Sequence, residues 1–165
     1  MKRVYLASPL GFASSTAAFM RELEQALGEH VVVDNPWSFE TVVGEEFAQV
    51  DAIRDRHEHV AAFHALNHRI AAANEAAIRS ADWVIGVLDG VDVDSGTAAE
   101  IGYAFGRGKY ICGLRTDFRL AGDNPGSIVN LQVEYFIVES GGSIVTDVDA
   151  FVHLARDFGS RRRED

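Results

Sequence analysis

The chain has one cysteine, Cys112, among its 165 residues, so no disulfide can form within it and no cysteine-based zinc cluster exists. Cys112 sits in the apolar run 110–114 and reads as a small buried core side chain. Long apolar runs are missing too. The stretch 83–88 falls far short of the roughly 20 residues that span a bilayer, which excludes a membrane partner. The N-terminus has two basic residues and then a short apolar run. It lacks the longer apolar region and small-residue cleavage site of a signal peptide, so it reads as a first strand and the protein as cytoplasmic. Positive charge is scarce: 25 acidic against 15 basic residues leave a net charge of −10. A field of that sign repels phosphate backbones, so nucleic-acid polymers are excluded as partners. The basic cluster Arg161–Arg163 is followed by Glu164 and Asp165, and 159–165 reads as a flexible tail.

What is present is globular. At 47% hydrophobic and 24% charged residues, the chain can build a core and is not a disordered segment. Folding a chain of this size buries roughly 68–70% of its unfolded surface, which suits one domain, taken as residues 1–158.

The pattern of apolar runs predicts alternating strands and helices. A strand at 4–7 enters the loop Ser8-Pro9. A helix over 16–27, capped by Ser14 or Ser15, stops at Gly28. A second strand covers 31–33 and turns at Asp34-Asn35-Pro36. Residues 37–55 read as irregular, a lid or pocket wall. An Ala-rich helix covers 58–81, with Ala62, Leu66, Ile70, Ala73 and Ala77 in one stripe. The continuous run 82–88 predicts a central strand covered on both faces. A helix over 97–107 ends at Gly108, and a strand covers 110–114. After a polar loop and an apolar segment through Ile137 come a Gly141-Gly142 turn, a short strand at 144–145, and a helix over 147–158. The alternation predicts a single-domain, doubly wound α/β fold of flavodoxin or Rossmann type: a mainly parallel sheet of about five strands flanked by helices. In such sheets ligands bind beyond the carboxyl ends of the strands. There the loops 8–13, 34–39 and 89–97 should meet, bringing Ser8 into the site.

The densest chemical signal is the segment from Asp92 to Ala104, between a buried strand and a helix. Gly96 lets the backbone approach a ligand closely. Asp94 and Glu100 bracket the turn. A carboxylate in the first turn of a helix is held ionised by the helix N-terminus and is a candidate nucleophile or base. The same residues fit a plainer reading. Thr97-Ala-Ala-Glu100 is also a capping box, and Asp94 could be an Asx-turn residue. Phe12, Trp37 and Phe39 are candidates for stacking on a flat heterocycle, with core filling as the alternative. His64 and His68, at i and i+4, are the nearest approach to a metal motif. Beside His57 and His59 they read as a charged helix face, and no metal is expected.

These residues resemble the nucleoside 2-deoxyribosyltransferase family. The Glu100-Ile-Gly-Tyr-Ala helix start, the acid before it, the first strand and loop from Val4 to Phe12, Asn74 eight residues before Asp82, and Asn130-Leu131 after the polar loop occur in the family's order over about residues 3–131. The resemblance implies that Glu100 attacks the anomeric carbon of the deoxyribose to give a covalent glycosyl-enzyme. It implies that Tyr5 holds that carboxylate, that Asp94 hydrogen-bonds the sugar's 5′-hydroxyl, and that Asn130 helps from a neighbouring subunit. The partners it implies are 2′-deoxynucleosides and free nucleobases, in a homo-oligomer built from dimers, a tetramer or hexamer, with the interface at 129–138. No cofactor is implied. Some members carry an acid where this chain has Asn74. Asn cannot be a general acid, so either Asn74 orients the base instead, or Asp92 or a water serves. The family's use of a C-terminal carboxylate is not carried over to this chain's tail.

Two rivals remain. An N-glycosidase acting on nucleoside 5′-monophosphates shares the fold but has a small hydroxyl residue where Asp94 stands. An Asp there repels a phosphate and accepts from a free hydroxyl. A shorter Gly-Thr-x-x-Glu motif also occurs in cytokinin-type phosphoribohydrolases, whose preceding Pro-Gly-Gly is absent here. A nucleoside-binding sensor would keep the pocket without needing an ionised Glu100.

Overall fold

The computed structural model describes residues 1–160, leaving aside the side chains of residues 39–43. Five strands form one sheet: β1 (Arg3–Ala7), β2 (Val32–Asp34), β3 (Trp83–Val87), β4 (Tyr110–Leu114) and β5 (Ile144–Val145). Their order is β2-β1-β3-β4-β5 and every pairing is parallel. This is a doubly wound order, with the chain reversing direction across the sheet between β1 and β3.

The period-2 alternation of β1 explains the two layers. Val4 and Leu6 join Trp83, Ile85 and Val87 of β3 against α1 (Ala17–Gly28) and α6 (Val148–Ser160). Tyr5 and Ala7 face the other way, with Val84, Ile111, Ile101 and Ile137. That second layer is covered by α3 (Arg56–Ser80), α4 (Ser95–Gly106) and α5 (Leu131–Glu139). Tyr5 pairs in register with Val84 of β3 and Asp34 of β2. Its ring is fully buried while its hydroxyl reaches toward α4.

Most predicted elements lie within one or two residues of their expected bounds. Three expectations are corrected. Residues 40–51 form a helix, α2 (Glu40–Asp51), not an irregular segment, although Phe47 on it does line the cleft. Its described residues are mostly exposed, so little of it is anchored in the core. It is held instead by contact with α3, through the Phe47–Phe63 ring pair at 6.0 Å and the Arg69–Glu46 ion pair. The start of α1 is not capped by Ser14 or Ser15; those residues form a short 3-10 turn, and Thr16 precedes the helix without a side-chain cap. The apolar segment through Ile137 is α5, capped by Asn130. Gly108, at φ +68, supplies the left-handed residue just after α4. α6 runs on to Ser160, and residues 161–165 lie outside the described residues.

The turn between α5 and β5 admits no side chain at Gly142, where a Cβ would lie 1.6 Å from the Ile111 carbonyl oxygen. A Cβ at Gly28 would meet nothing within 4 Å. Gly142→Ala should therefore destabilise the fold by about 1–3 kcal/mol in denaturant unfolding, while Gly28→Ala should be neutral or stabilising. Equal midpoints for the two variants would contradict this packing.

Candidate active site

At the carboxyl ends of β1 and β3 the chain encloses a cleft of about 360 Å³, within the roughly 300–1,000 Å³ of small-molecule sites. The loop after β1 supplies Ser8 and Phe12, the turn after β2 supplies Pro36 and Trp37, and α2 supplies Phe47. The second half of α3 contributes Ile70, Ala73 and Asn74, which share one helix face at i, i+3 and i+4. The start of α4 contributes Asp94, Gly96, Thr97 and Glu100.

Glu100 lies at the floor. Its Oε1 accepts a hydrogen bond from the Tyr5 hydroxyl at 2.6 Å, and Asn74 Nδ2 approaches the same oxygen at 3.5 Å, the outer limit of a hydrogen bond. The capping-box reading does not hold. The cap of α4 is Asp94, whose Oδ2 accepts from the Thr97 amide at 3.0 Å and the Thr97 hydroxyl at 3.4 Å. Glu100 is thus in the second turn of α4, away from the strongest field of the helix N-terminus, and its carboxyl is turned into the cleft. Its electrostatics are likewise opposite to the sequence expectation. Burial among apolar walls pushes its pKa from an ordinary 4.5 up to about 7, the Tyr5 hydrogen bond pulls it back, and the charge of Asp94 raises it again. The Tyr5 hydroxyl is itself raised, first by burial and then by Glu100, so it stays a proton-bearing donor.

Trp37 is a fixed wall. Its indole Nε1 donates to the Ser8 carbonyl at 2.7 Å, and its backbone amide donates to Asn35 Oδ1 at 3.0 Å. Phe12 meets it edge-on at 4.6 Å and is otherwise exposed at the mouth. Gly11 lies under the indole, where a Cβ would come within 1.9 Å of the ring. Ser8 is buried, its hydroxyl accepting from the Leu10 amide at 3.0 Å. Gly96 brings the backbone of α4 to the cleft.

Of the expected site residues, Glu100, Tyr5, Asp94, Asn74, Ser8, Gly96, Phe12 and Trp37 gather here. Asp92 does not: it is exposed, outside the cleft, and its carboxylate accepts from the Val93 amide. Asn130 is also outside the cleft of its own chain. Its Oδ1 caps α5 by accepting from the amides of Gln132 and Val133. The Phe39 side chain lies outside the described residues. Sequence reasoning placed Phe47 within the pocket-wall segment 37–55 but missed the helix that carries it, and named Ile70 and Ala73 as helix stripe without seeing that they line the site. His64 and His68 meet edge to face at 4.7 Å on the surface of α3. Among the described residues, no group of three or more His, Cys, Asp and Glu side chains could hold a metal ion.

A carboxylate braced by a phenol in an apolar cleft, with a second carboxylate beside it, is the equipment of an enzyme that makes or breaks glycosidic bonds. The sequence profile described as nucleoside 2-deoxyribosyltransferase matches residues 4–134, and the chain belongs to that family. No curated protein sequence matches the chain significantly. Solved structures share its fold at low identity. A conserved protein from Enterococcus faecalis V583 is 21% identical, with a TM-score of 0.64 over 96% of this chain and 99% of that one. A 2-desoxiribosyltransferase from Leishmania mexicana is 22% identical, with a TM-score of 0.63 over 94% and 97%. A CMP N-glycosidase from Clostridium botulinum is 19% identical, with a TM-score of 0.54 over 93% and 97%.

The raised pKa of Glu100 fixes a sign. The folded protein binds this proton more tightly than the unfolded chain does. The stability contributed by Glu100 is therefore complete below about pH 4.5 and is lost as pH rises to about 7. Glu100→Gln removes that loss. At pH 8 the variant should be more stable than the parent by about 1–3 kcal/mol, shrinking toward zero near pH 4.5. Thermal unfolding at the two pH values measures it, and a variant less stable at pH 8 would count against a buried, charge-averse Glu100.

Proposed function

We propose that the protein is a nucleoside 2-deoxyribosyltransferase that moves 2-deoxyribose between nucleobases by double displacement with retention. The observation that carries this reading is the Tyr5–Glu100 pair at the floor of an apolar cleft. Ionised Glu100 attacks the anomeric carbon as the base departs, forming a glycosyl–Glu100 ester. A second base attacks the same carbon and releases the carboxylate. Tyr5 and Asn74 orient the carboxylate, and the Tyr5 hydroxyl stabilises its charge as the second displacement frees it. Asp94 lines the cleft, and its Oδ1, which takes no hydrogen bond among the described residues, would accept from the sugar's 5′-hydroxyl. The flat base would sit between Trp37, Phe12 and the aliphatic face of α3. Hydrolysis of the glycosyl-enzyme by water is the expected side reaction, and the reaction belongs to nucleoside salvage.

The hydrolase alternative draws support from the fold shared with a CMP N-glycosidase. The cleft counts against it. No Lys or Arg is among its described lining, and Asp94 would repel a 5′-phosphate. The sensor alternative would leave ligand binding unchanged in Glu100→Gln and show no turnover. Incubation with thymidine or 2′-deoxyinosine and free adenine should give 2′-deoxyadenosine. Glu100→Ala should lower the rate by on the order of 10³-fold or more. Free base without a new nucleoside would point to the hydrolase, to be retested with 5′-monophosphates.

Closure of the site by a second copy of the chain belongs to the same reading, because a glycosyl ester open to bulk water is hydrolysed. The exposed side of α5 supports it: Leu131, Tyr135 and Val138 form an apolar row at i, i+4 and i+7. Asn130 stands at the head of that row, its Nδ2 unbonded among the described residues, where it can reach a partner's cleft. Asn130→Asp keeps an N-cap and so the stability of α5, but loses the amide donor. It should retain its melting temperature and its oligomeric state and lose transfer activity about tenfold or more. Full activity would remove Asn130 from the site.

A further inference from the structure

Arg115 is the one buried charged side chain among the described residues, 2% exposed. The Asp117 carboxylate is near enough to feel its charge, but no described carboxylate touches it as an ion pair. The Arg115 guanidinium instead gathers backbone carbonyls. It donates to Leu88 and, at 3.1 Å, to Gly90 in the segment that follows β3, and to Arg119 at 2.6 Å in its own loop. Asp89 runs the opposite way. Its carboxylate accepts from the Thr116 amide and hydroxyl, both at 2.6 Å, and from the Asp117 amide at 2.8 Å. Five side-chain hydrogen bonds thus lock the loop after β3 to the loop after β4, and a sixth, to Arg119, braces the second loop on itself. Gly90, at φ +134, turns the chain at the point that Arg115 holds. Four residues further on stands Asp94, which caps α4 and faces the cleft.

The geometry points to Arg115 as a positioning residue for Asp94, and through it a determinant of how the sugar's 5′-hydroxyl is read; this rests on the transferase reading proposed above. Only arginine suits the place. Its planar fork offers five donors in fixed directions and stays charged when buried, so it can satisfy three carbonyls that point inward from two loops. A lysine ammonium is a single point on a flexible stem and cannot reach all three. With the clamp loosened, the segment 89–93 gains freedom. Asp94 then presents its acceptor over a range of positions instead of one, and a loosely held acceptor loses much of its discrimination. Glu100, anchored separately by Tyr5 and two turns along α4, keeps its place.

The test compares two donors, a 2′-deoxynucleoside and the matching 2′,5′-dideoxynucleoside, in transfer to the same free base. For the parent protein the 5′-hydroxyl should favour the first donor in kcat/KM. Asp94→Ala should abolish that preference. Arg115→Lys, at an unchanged oligomeric state, should reduce the preference about tenfold, chiefly through KM, while kcat/KM for the dideoxynucleoside changes less than threefold. Should Arg115→Lys prove insoluble, Asp89→Asn loosens the same clamp from its other side and is read by the same ratio. An equal loss on both donors, or no loss on either, would make Arg115 a structural residue only and overturn the proposal. Absence of transfer by the parent protein would instead refute the transferase reading itself.

Discussion

The hydrogen bond between Tyr5 and Glu100 joins the first strand to the fourth helix, and the site depends on it. Tyr5 is placed by β1 alternation, which turns its ring toward α3 and α4 while Val4 and Leu6 turn to the opposite layer. Glu100 is placed by α4, whose second turn carries it onto the face that lines the cleft. The two residues are 95 positions apart in sequence and 2.6 Å apart in space. Nothing local joins them. The doubly wound order does, by setting β3, and the helix that follows it, beside β1.

The same cleft creates a tension between folding and chemistry. Apolar walls exclude water, which protects a reactive ester and strengthens each remaining electrostatic contact. They also disfavour the charge a nucleophile must carry, hence a Glu100 pKa near 7. The Tyr5 hydroxyl moderates that penalty without removing it. A group poised near neutrality can be ionised for attack and still leaves readily as a carboxylate. Its cost to stability falls on the pH range where the enzyme would work, a familiar bargain between active sites and folds.

Much of this was legible in the sequence, for identifiable reasons. Strands β3 and β4 are continuous apolar runs, so their burial on both faces is written directly in composition. The cluster from Asp94 to Glu100 was visible because Asp, Gly, Thr and Glu stand between a strand and a helix, where ligands bind. The sequence could not say which of two acids caps the helix, since Thr97-Ala-Ala-Glu100 and Asp94-Ser-Gly-Thr97 both satisfy capping rules. The structure chooses Asp94, and that choice turns Glu100 from cap to site residue. Helix α2 was hard to read because its apolar positions, Val43, Phe47 and Val50, are few and stand beside Gly44, and Phe47 packs on α3 rather than in the core; Phe47 was seen only as part of a pocket wall. The clamp built by Arg115 and Asp89 left no local mark at all. Most of its partners are backbone atoms 25 or more residues away, and no pattern of side chains records where a carbonyl will point.

Asn74 shows how these constraints combine. An amide at position 74 cannot donate a proton to a departing base. The surroundings give a reason for the amide. Its nitrogen lies 3.5 Å from Glu100, whose pKa is already raised by burial and by Asp94. A third carboxylate at that distance, in so dry a cleft, would push Glu100 further from the ionised form, as like charges sharing a site do. The amide instead offers a donor to the same oxygen and favours the charge. On the proposed reading, position 74 thus serves the nucleophile, and the proton for a leaving base would come from elsewhere than the α3 residues that line the cleft.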